Sequence, residues 1–223
     1  RYHKVTGVQT CALPISHIDW KEYAKIYEPD QDSFLFLDAL EKEISFIQQV
    51  QPSLLLEIGP GSGIISTFLS RLIRTSNSVA TIAIDINMDA CLVTRRTYQQ
   101  NGTPYTDVVR SNLLSGMASR LQNKVDMIVF NPPYVPTESE ETFLPSIESA
   151  YAGGVRGREV IDRLLPDISS ILRTGGVFYL LLERENNPEE VMAILEKKGL
   201  RGNIVLRKQC RGEDLMIVKF IKE

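Results

Sequence analysis

The sequence predicts a doubly wound α/β domain built on a mostly parallel sheet. Short apolar runs alternate with amphipathic stretches along the chain from residue 33 onwards. Several of these runs are continuously apolar, which suits strands that are buried on both faces by helices. The chain has 223 residues, of which 43% are hydrophobic, enough for one sizeable core. These observations indicate one α/β domain without repeats or an interdomain linker.

Seven strands and five helices are predicted. The predicted strands are residues 53–59, 79–85, 106–110, 125–130, 175–183, 203–209 and 214–222. The predicted helices are residues 33–50, 64–74, 88–102, 157–173 and 187–199. The strands are short apolar runs, whereas the first helix carries its apolar residues at helical spacing.

Polar residues, prolines and glycines mark the ends of several predicted helices. The first helix follows a polar start at Asp32-Ser33, and Gly102 closes the third. The last helix has Pro188 near its first turn and Gly199 just past its end, which is the expected asymmetry. Pro166 lies inside the fourth helix or breaks it.

Composition and charge argue against several classes of function. The formal net charge is −3, so no global basic field is available to hold a nucleic-acid backbone. Cys11, Cys91 and Cys210 are odd in number, widely spaced and without a C-x-x-C pair, which argues against a disulfide framework or a zinc site. No apolar run approaches the roughly 20 residues that span a bilayer, and no leader is evident. We expect a soluble protein of the cytoplasm, with the nucleus as a second location.

The first residues differ in character from the rest of the chain. The stretch VTGVQTCALPI, residues 5–15, resembles the translation of a common sequencing-adapter oligonucleotide read in frame. We therefore treat residues 1–16 as a non-native segment and assign residues 17–223 to the single domain. The alternative is an ordinary short N-terminal arm.

A glycine-rich turn follows the first predicted strand. It contains Glu57, Gly59, Gly61 and Gly63, and glycines let a backbone approach a ligand closely. Ile64 stands where a dinucleotide fingerprint has its third glycine, so NAD is not the expected ligand. A tight turn without a ligand is the alternative. An acidic residue before G-x-G-x-G resembles motif I of Rossmann-like S-adenosylmethionine-dependent methyltransferases, which implies that these four residues bind that cofactor.

Polar residues also follow the second and third predicted strands. Asp85 ends the second strand, where a carboxylate can accept hydrogen bonds from both ribose hydroxyls. Asn112 and its neighbour Leu113 follow the third strand, where this class of enzyme usually has an aspartate facing the adenine ring. An asparagine oxygen can still accept from the adenine amino group. Taken singly, Asp85 and Asn112 are more typical of helix caps or turns, but their order along the chain and their positions at strand ends favour a role in ligand binding.

The sequence Asn131-Pro132-Pro133-Tyr134 ends the fourth predicted strand and is the candidate catalytic motif. The Asn131 side-chain oxygen and the Pro132 carbonyl can accept the two N–H bonds of a planar NH2 group, which aims its lone pair at a methyl donor. The prolines fix the backbone, and Tyr134 can pack on the flat group. Such positioning needs no general base in the forward step. A proline turn that merely ends a strand is the alternative.

Further segments narrow the resemblance to one family. They are YEPDQDSFLFLDAL (27–40), NPPYVPT (131–137), AGGVRGREVIDRLLP (152–166) and ENNPEE (185–190). Together they resemble the eukaryotic and archaeal branch of the HemK-type release-factor glutamine methyltransferases over about residues 23–222. The resemblance implies a sheet of order 3-2-1-4-5-7-6 with the last strand antiparallel. It also implies that Ser33 contacts the cofactor and that Asn131 contacts both the edge of the cofactor and the substrate.

The resemblance further implies a substrate and a partner. The substrate would be the glutamine amide in the Gly-Gly-Gln loop of the class-1 translation termination factor. Protein lysine is a further substrate to consider; N6-adenine methylation of DNA or RNA and non-catalytic cofactor binding are the alternatives. The partner would be a small zinc-binding activator, paired through the edge strand at 106–110 with help from apolar Val108 and Leu113.

Overall fold

The computed structural model describes residues 14–73, 79–143, 150–210 and 212–223, in which helices and strands alternate as predicted. The helices are α1 (Trp20–Tyr23), α2 (Gln31–Lys42), α3 (Ile44–Val50), α4 (Ile64–Ile73), α5 (Met88–Gln100), α6 (Ala118–Leu121), α7 (Glu159–Ile171) and α8 (Pro188–Glu196). The strands are β1 (Leu54–Ile58), β2 (Ala80–Asp85), β3 (Thr106–Arg110), β4 (Val125–Phe130), β5 (Leu172–Glu183), β6 (Leu200–Cys210) and β7 (Glu213–Lys222).

The strands form one seven-stranded sheet in the order β3-β2-β1-β4-β5-β7-β6. Strands β1 to β5 run parallel to one another, and β7 is antiparallel to both β5 and β6. The predicted fold class and strand order are therefore confirmed. Because the order reverses between β1 and β4, a crevice opens beyond the carboxyl ends of these two strands.

Two apolar cores cover the two faces of the sheet. One core packs α6, α7 and α8 against the sheet, and the other packs α2, α3 and α4 on the opposite face. Every residue of β4 is buried, as is usual for a central strand covered on both faces. The sheet is thus a rigid scaffold, and the loops at its carboxyl edge can carry the residues of a binding site.

The predicted helix at 33–50 is wrong in one respect, because the chain forms two helices separated at Glu43. Its carboxylate pairs with the Lys219 ammonium and accepts a hydrogen bond from the Tyr179 hydroxyl at 3.2 Å. Both partners lie on interior strands of the sheet, so these contacts of Glu43 hold the end of α2 against the sheet. The short helices α1 and α6 were not predicted, and Pro166 lies within α7 without ending it.

The described N-terminal residues pack against the domain. Ile15 is buried, and the Pro14 carbonyl accepts a hydrogen bond from the Asn101 side chain at 2.7 Å. The predicted adapter-like stretch lies largely outside the described residues, as does Cys11. Within the described ranges, no helix is both long and apolar enough to cross a membrane.

Candidate active site

A cleft of about 850 Å³ lies at the carboxyl edge of the sheet and gathers most of the predicted site residues. Those that line it are Ser33, Gly59, Gly61, Asp85, Asn112, Leu113, Asn131, Pro132, Pro133 and Tyr134. They come from five segments that are distant in the sequence. The crossover topology brings them together, because each segment follows a parallel strand or begins α2.

The glycine turn after β1 forms part of the cleft wall and is held from behind by α5. The Thr94 hydroxyl donates to the Gly61 carbonyl at 3.1 Å, and the Thr97 hydroxyl donates to the Ser62 carbonyl at 2.7 Å. A Cβ atom added at Gly61 would meet nothing within 4 Å, so the backbone there stays open to a ligand. The turn therefore presents main-chain groups from a fixed support.

Two predicted cofactor residues lie beneath this wall rather than on it. Glu57 is 1% exposed, and its carboxylate accepts a hydrogen bond from the Ser66 N–H at 3.3 Å. Burial raises the pKa of Glu57 to about 8. At Gly63 an added Cβ would lie 3.0 Å from the Thr94 Cγ2 atom, so this glycine lets α4 and α5 pack closely. Both residues support the turn, and a direct contact with a ligand stays a prediction.

Asp85 and Asn112 stand side by side at the ends of β2 and β3. The Asp85 carboxylate accepts the Asn87 N–H at 2.8 Å and the Gly61 N–H at 3.2 Å. Burial raises the pKa of Asp85 even though these N–H groups favour its ionised form. Asn112 is exposed on the cleft rim, and Leu113 beside it has a left-handed backbone with φ of 50°. This edge of the cleft offers acceptors for hydroxyl or amino groups.

Asn131 is oriented by a residue that the sequence analysis did not single out. Its Nδ2 donates to the Asp32 carboxylate at 2.8 Å, while its Oδ1 is buried without a hydrogen-bond partner among the described residues. The other Asp32 oxygen accepts from the Tyr27 hydroxyl at 3.0 Å and from the Ser33 N–H at 2.6 Å. Asp32 was recognised only as a polar start of a helix.

Tyr134 is fixed at both ends. Its hydroxyl donates to the Glu213 carboxylate at 3.3 Å, and its carbonyl accepts from the Asn186 side chain at 2.9 Å. Burial and the nearby carboxylates of Asp32 and Glu213 raise the pKa of Tyr134, so its hydroxyl stays protonated. The next residue, Val135, forms a parallel bridge with Ala152. The aromatic wall of the cleft is therefore held firmly.

Comparison with known proteins decides the family. Residues 26–147, more than half of the chain, match the family described as Methyltransferase small domain. The chain belongs to this family. The human protein Methyltransferase HEMK2 is 40% identical to it over 206 residues, covering 92% of this chain and 94% of that protein. The Schizosaccharomyces pombe protein named eRF1 methyltransferase catalytic subunit mtq2 is 37% identical over 220 residues, covering 93% and 94%.

A solved structure agrees with this assignment. It is the E. cuniculi Mtq2-Trm112 complex, described as responsible for methylation of the eRF1 translation termination factor. One of its chains shares 31% identity with this protein at a TM-score of 0.62, covering 89% of this chain and 99% of that chain. The predicted HemK-type resemblance and the assignment as an S-adenosylmethionine-dependent methyltransferase are confirmed.

The cleft residues fit S-adenosylmethionine, which supplies an electrophilic sulfonium methyl group when it is bound. The open backbone at Gly61 suits close approach of a ligand, and the Asp85 carboxylate suits a ribose. The buried, unpaired Oδ1 of Asn131 has the chemistry to meet an N–H donor. Ser33 and Asn112 line the same cleft and would complete the cofactor site. In the described part of the chain, no cluster of His, Cys, Asp or Glu side chains is placed to hold a metal ion.

Proposed function

We propose that this protein methylates the side-chain amide nitrogen of the glutamine in the Gly-Gly-Gln loop of the class-1 translation termination factor. The observation that carries the proposal is the buried Asn131 Oδ1, which has no hydrogen-bond partner among the residues that the structure describes and lies beside the rigid Pro132-Pro133 pair in the cleft. A buried acceptor without a partner costs free energy, and a bound NH2 group would remove that cost. The names of two relatives support the proposal, since one is named eRF1 methyltransferase catalytic subunit mtq2 and another Putative protein N5-glutamine methyltransferase.

The reaction needs little from the protein except positioning. An amide nitrogen is a poor nucleophile because its lone pair is delocalised into the carbonyl group. Asn131 Oδ1 and the Pro132 carbonyl accept its two N–H bonds, which draws the nitrogen toward tetrahedral geometry and aims the lone pair at the methyl group. The N–C bond would form as the sulfur–methyl bond of bound S-adenosylmethionine breaks, which would leave S-adenosylhomocysteine. The nitrogen then releases one proton to solvent, which restores a neutral secondary amide.

Mass spectrometry of the termination factor tests this proposal. The purified factor is incubated with S-adenosylmethionine and the enzyme, and we expect the loop glutamine to gain the mass of one methyl group. A factor whose loop glutamine is replaced by alanine serves as the matched control and should gain none. Asn131→Ala should abolish the transfer while it leaves cofactor affinity largely intact. An unchanged mass of the native factor in the presence of active enzyme complex would refute the proposal.

We also propose a small zinc-binding activator as a partner at the β3 edge. Within the described part of the chain, strand β3 pairs only with β2. At the two ends of β3, the Tyr105 carbonyl accepts from the Thr81 N–H and the Ser111 N–H donates to the Asp85 carbonyl. By alternation the Val108 N–H faces away from β2, where it donates to the side chain of Asp107 at 2.8 Å. Exposed Ile86 and Leu92 lie beside this edge and add apolar surface. An unpaired edge with flanking apolar residues favours pairing with a strand of another chain.

Proline substitution tests this partner surface. Val108→Pro removes one outward N–H together with its local hydrogen bond to the exposed Asp107 side chain, but no hydrogen bond to β2, so the domain should remain folded. We expect the variant to lose co-purification with the activator, whereas the matched Val108→Thr variant, which keeps the N–H, should retain it. Equal solubility and activity of the wild-type chain with and without an activator would contradict the proposal. A cytoplasmic location is the expected one for a protein that modifies a termination factor.

A further inference from the structure

The orientation of the Asn131 side-chain amide is set by the protein rather than by a ligand. The two ends of an asparagine amide have nearly the same shape but opposite hydrogen-bonding character. Asp32 is 3% exposed, and its carboxylate oxygen lies 2.8 Å from Asn131 Nδ2. A carboxylate only accepts hydrogen bonds, so the NH2 end must face Asp32 and the Oδ1 end must face the opposite way. The reversed amide would place two oxygens in repulsive contact.

We propose that Asp32 is a positioning residue that fixes Asn131 with its oxygen toward the substrate, and that it thereby makes the site select a nitrogen bearing two N–H bonds. This inference rests on the proposed function and extends it. Without Asp32, the Asn131 amide is free to turn its NH2 end toward the cleft. A site in that state repels the NH2 group that it has to hold.

Asp32 is itself held in place by two donors. The Tyr27 hydroxyl donates to its Oδ1 at 3.0 Å, and the Ser33 N–H donates to the same oxygen at 2.6 Å. Burial, followed by the charge of Asp32, raises the pKa of Tyr27, so its hydroxyl remains a donor. Because Oδ1 is engaged in this way, Oδ2 is left to Asn131. Asp32 also lies in the first turn of α2, where the helix dipole favours a negative charge.

The charge of Asp32 also strengthens the acceptor that faces the substrate. A charged partner at Nδ2 polarises the amide and places more negative charge on Oδ1. Positive charge develops on the substrate nitrogen only as the new N–C bond forms. The interaction is therefore stronger in the transition state than in the ground state, and its loss should appear mainly in kcat.

Asp32→Asn tests the proposal because it keeps the shape and removes the charge. Hydrogen bonds to charged groups contribute about 1.5–3 kcal/mol, so we expect kcat to fall about 10- to 100-fold. Cofactor affinity should change by less than about threefold, since Asp32 contacts Asn131 rather than the glycine turn. Asp30→Asn is the matched control. It removes an equal charge two residues away, on a side chain without a capping hydrogen bond, and should change kcat far less.

A second variant and a spectroscopic readout keep the test independent of folding and of substrate identity. Tyr27→Phe removes one donor to Asp32 and should lower kcat by about threefold to tenfold. Added to Asp32→Asn it should cause little further loss, because both changes act through one contact. In the enzyme labelled with 15N-asparagine, the Asn131 side-chain NH2 resonance should be strongly shifted by Asp32 in the wild type. It should move toward ordinary values in Asp32→Asn.

The outcomes separate this inference from the function it extends. Equal kcat for Asp32→Asn and Asp30→Asn, or an Asn131 resonance that ignores Asp32, overturns the positioning role. Additive losses from Tyr27→Phe and Asp32→Asn overturn it as well. If Asp32→Asn does not fold, an unaltered kcat and resonance in Tyr27→Phe overturn it. Failure of the wild-type enzyme to methylate the termination factor refutes the proposed function instead, and the resonance still reports on Asp32.

Discussion

Asn186 holds the carbonyl of Tyr134 through a hydrogen bond of 2.9 Å from its fully buried side-chain amide. The same NH2 group donates to the carbonyls of Arg156 at 2.9 Å and Gly157 at 3.3 Å. Its Oδ1 accepts the Glu183 N–H at 2.7 Å. One side chain thus joins three loops at the carboxyl edge of the sheet. The candidate catalytic motif is therefore held by a residue that does not itself line the cleft.

Replacing Asn186 should therefore destabilise the domain. Asn186→Ala leaves three carbonyls and the Glu183 N–H without the partner that this fully buried side chain supplies. We expect the free energy of unfolding to fall by about 2–4 kcal/mol, measured by urea denaturation. Asn187→Ala is the matched control, because the neighbouring exposed asparagine caps α8 and donates only to the exposed Glu190 carboxylate at 3.1 Å, and it should cost about 1 kcal/mol. Equal losses in the two variants would contradict the bridging role.

Gly157 packs tightly against the candidate catalytic motif at the carbonyl of Tyr134. A Cβ atom added there would lie 1.8 Å from the Tyr134 carbonyl oxygen, and the backbone has φ of 64°. Gly157→Ala must therefore displace Tyr134 or the loop before α7, and we expect at least about 4 kcal/mol of lost stability or a near-complete loss of methyl transfer. Urea denaturation and kcat are the measurements.

Gly116→Ala separates the clash at Gly157 from backbone strain. Gly116 has a similar φ of 70°, but an added Cβ would meet nothing within 4 Å. Its substitution should cost only about 1–2 kcal/mol and leave kcat unchanged. If Gly157→Ala lowers stability no more than Gly116→Ala and leaves kcat unchanged, the loop before α7 accommodates the methyl group without displacing Tyr134.

Alanine substitutions at Gly63 and Gly61, in the turn after β1, should also differ according to the room for an added methyl group. Gly63→Ala meets Thr94 at 3.0 Å and adds strain at φ of 75°, so we expect it to lower stability by about 2–4 kcal/mol. Gly61→Ala has room for its methyl group and should cost about 1–2 kcal/mol, but the methyl group lies where the cofactor approaches. Denaturation and calorimetric titration with S-adenosylmethionine measure the two effects. Weakened cofactor binding in Gly63→Ala alone would contradict this division.

Local sequence signals predicted much of the fold. The bounds of β3 and β4 were predicted correctly, because turn residues delimit each apolar run on both sides. The break at Glu43 was not predicted, since its partners Tyr179 and Lys219 lie 136 and 176 residues away in the sequence. A local sequence pattern cannot indicate a contact between residues so far apart in the chain. Helix propensity continues through 33–50, and tertiary contacts override it.

In the candidate site, too, local sequence patterns predicted some residues, whereas others depend on contacts between distant parts of the chain. Asp85 and Asn131 were predicted from the sequence because Asp85 is the last residue of β2 and Asn131 follows the last residue of β4. Both positions lie at the carboxyl edge of the sheet, where such folds bind ligands. Asp32 and Asn186 escaped notice because their roles depend on contacts that span 99 and 52 residues. A motif identifies the groups that meet a ligand. The residues that orient those groups become visible only when the chain is folded.

Glu57 should make stability depend on pH. Burial raises its pKa to about 8 from an ordinary value of 4.5, so between these values the folded chain keeps a proton that the unfolded chain has released. This contribution to stability is fully present below about pH 4.5 and is lost as the pH rises to about 8. The steepest possible slope for one group is about 1.4 kcal/mol per pH unit.

Glu57→Gln isolates this contribution, because glutamine keeps the shape and does not titrate. Urea denaturation of both proteins from pH 5 to pH 8 gives the difference in unfolding free energy, in which the other titrating groups cancel. We expect the wild type to lose about 2–4 kcal/mol relative to Glu57→Gln over this range, so that the variant gains on the wild type as the pH rises. Parallel curves would mean that Glu57 is already ionised at pH 5, and that the Ser66 N–H outweighs the cost of burying the charge.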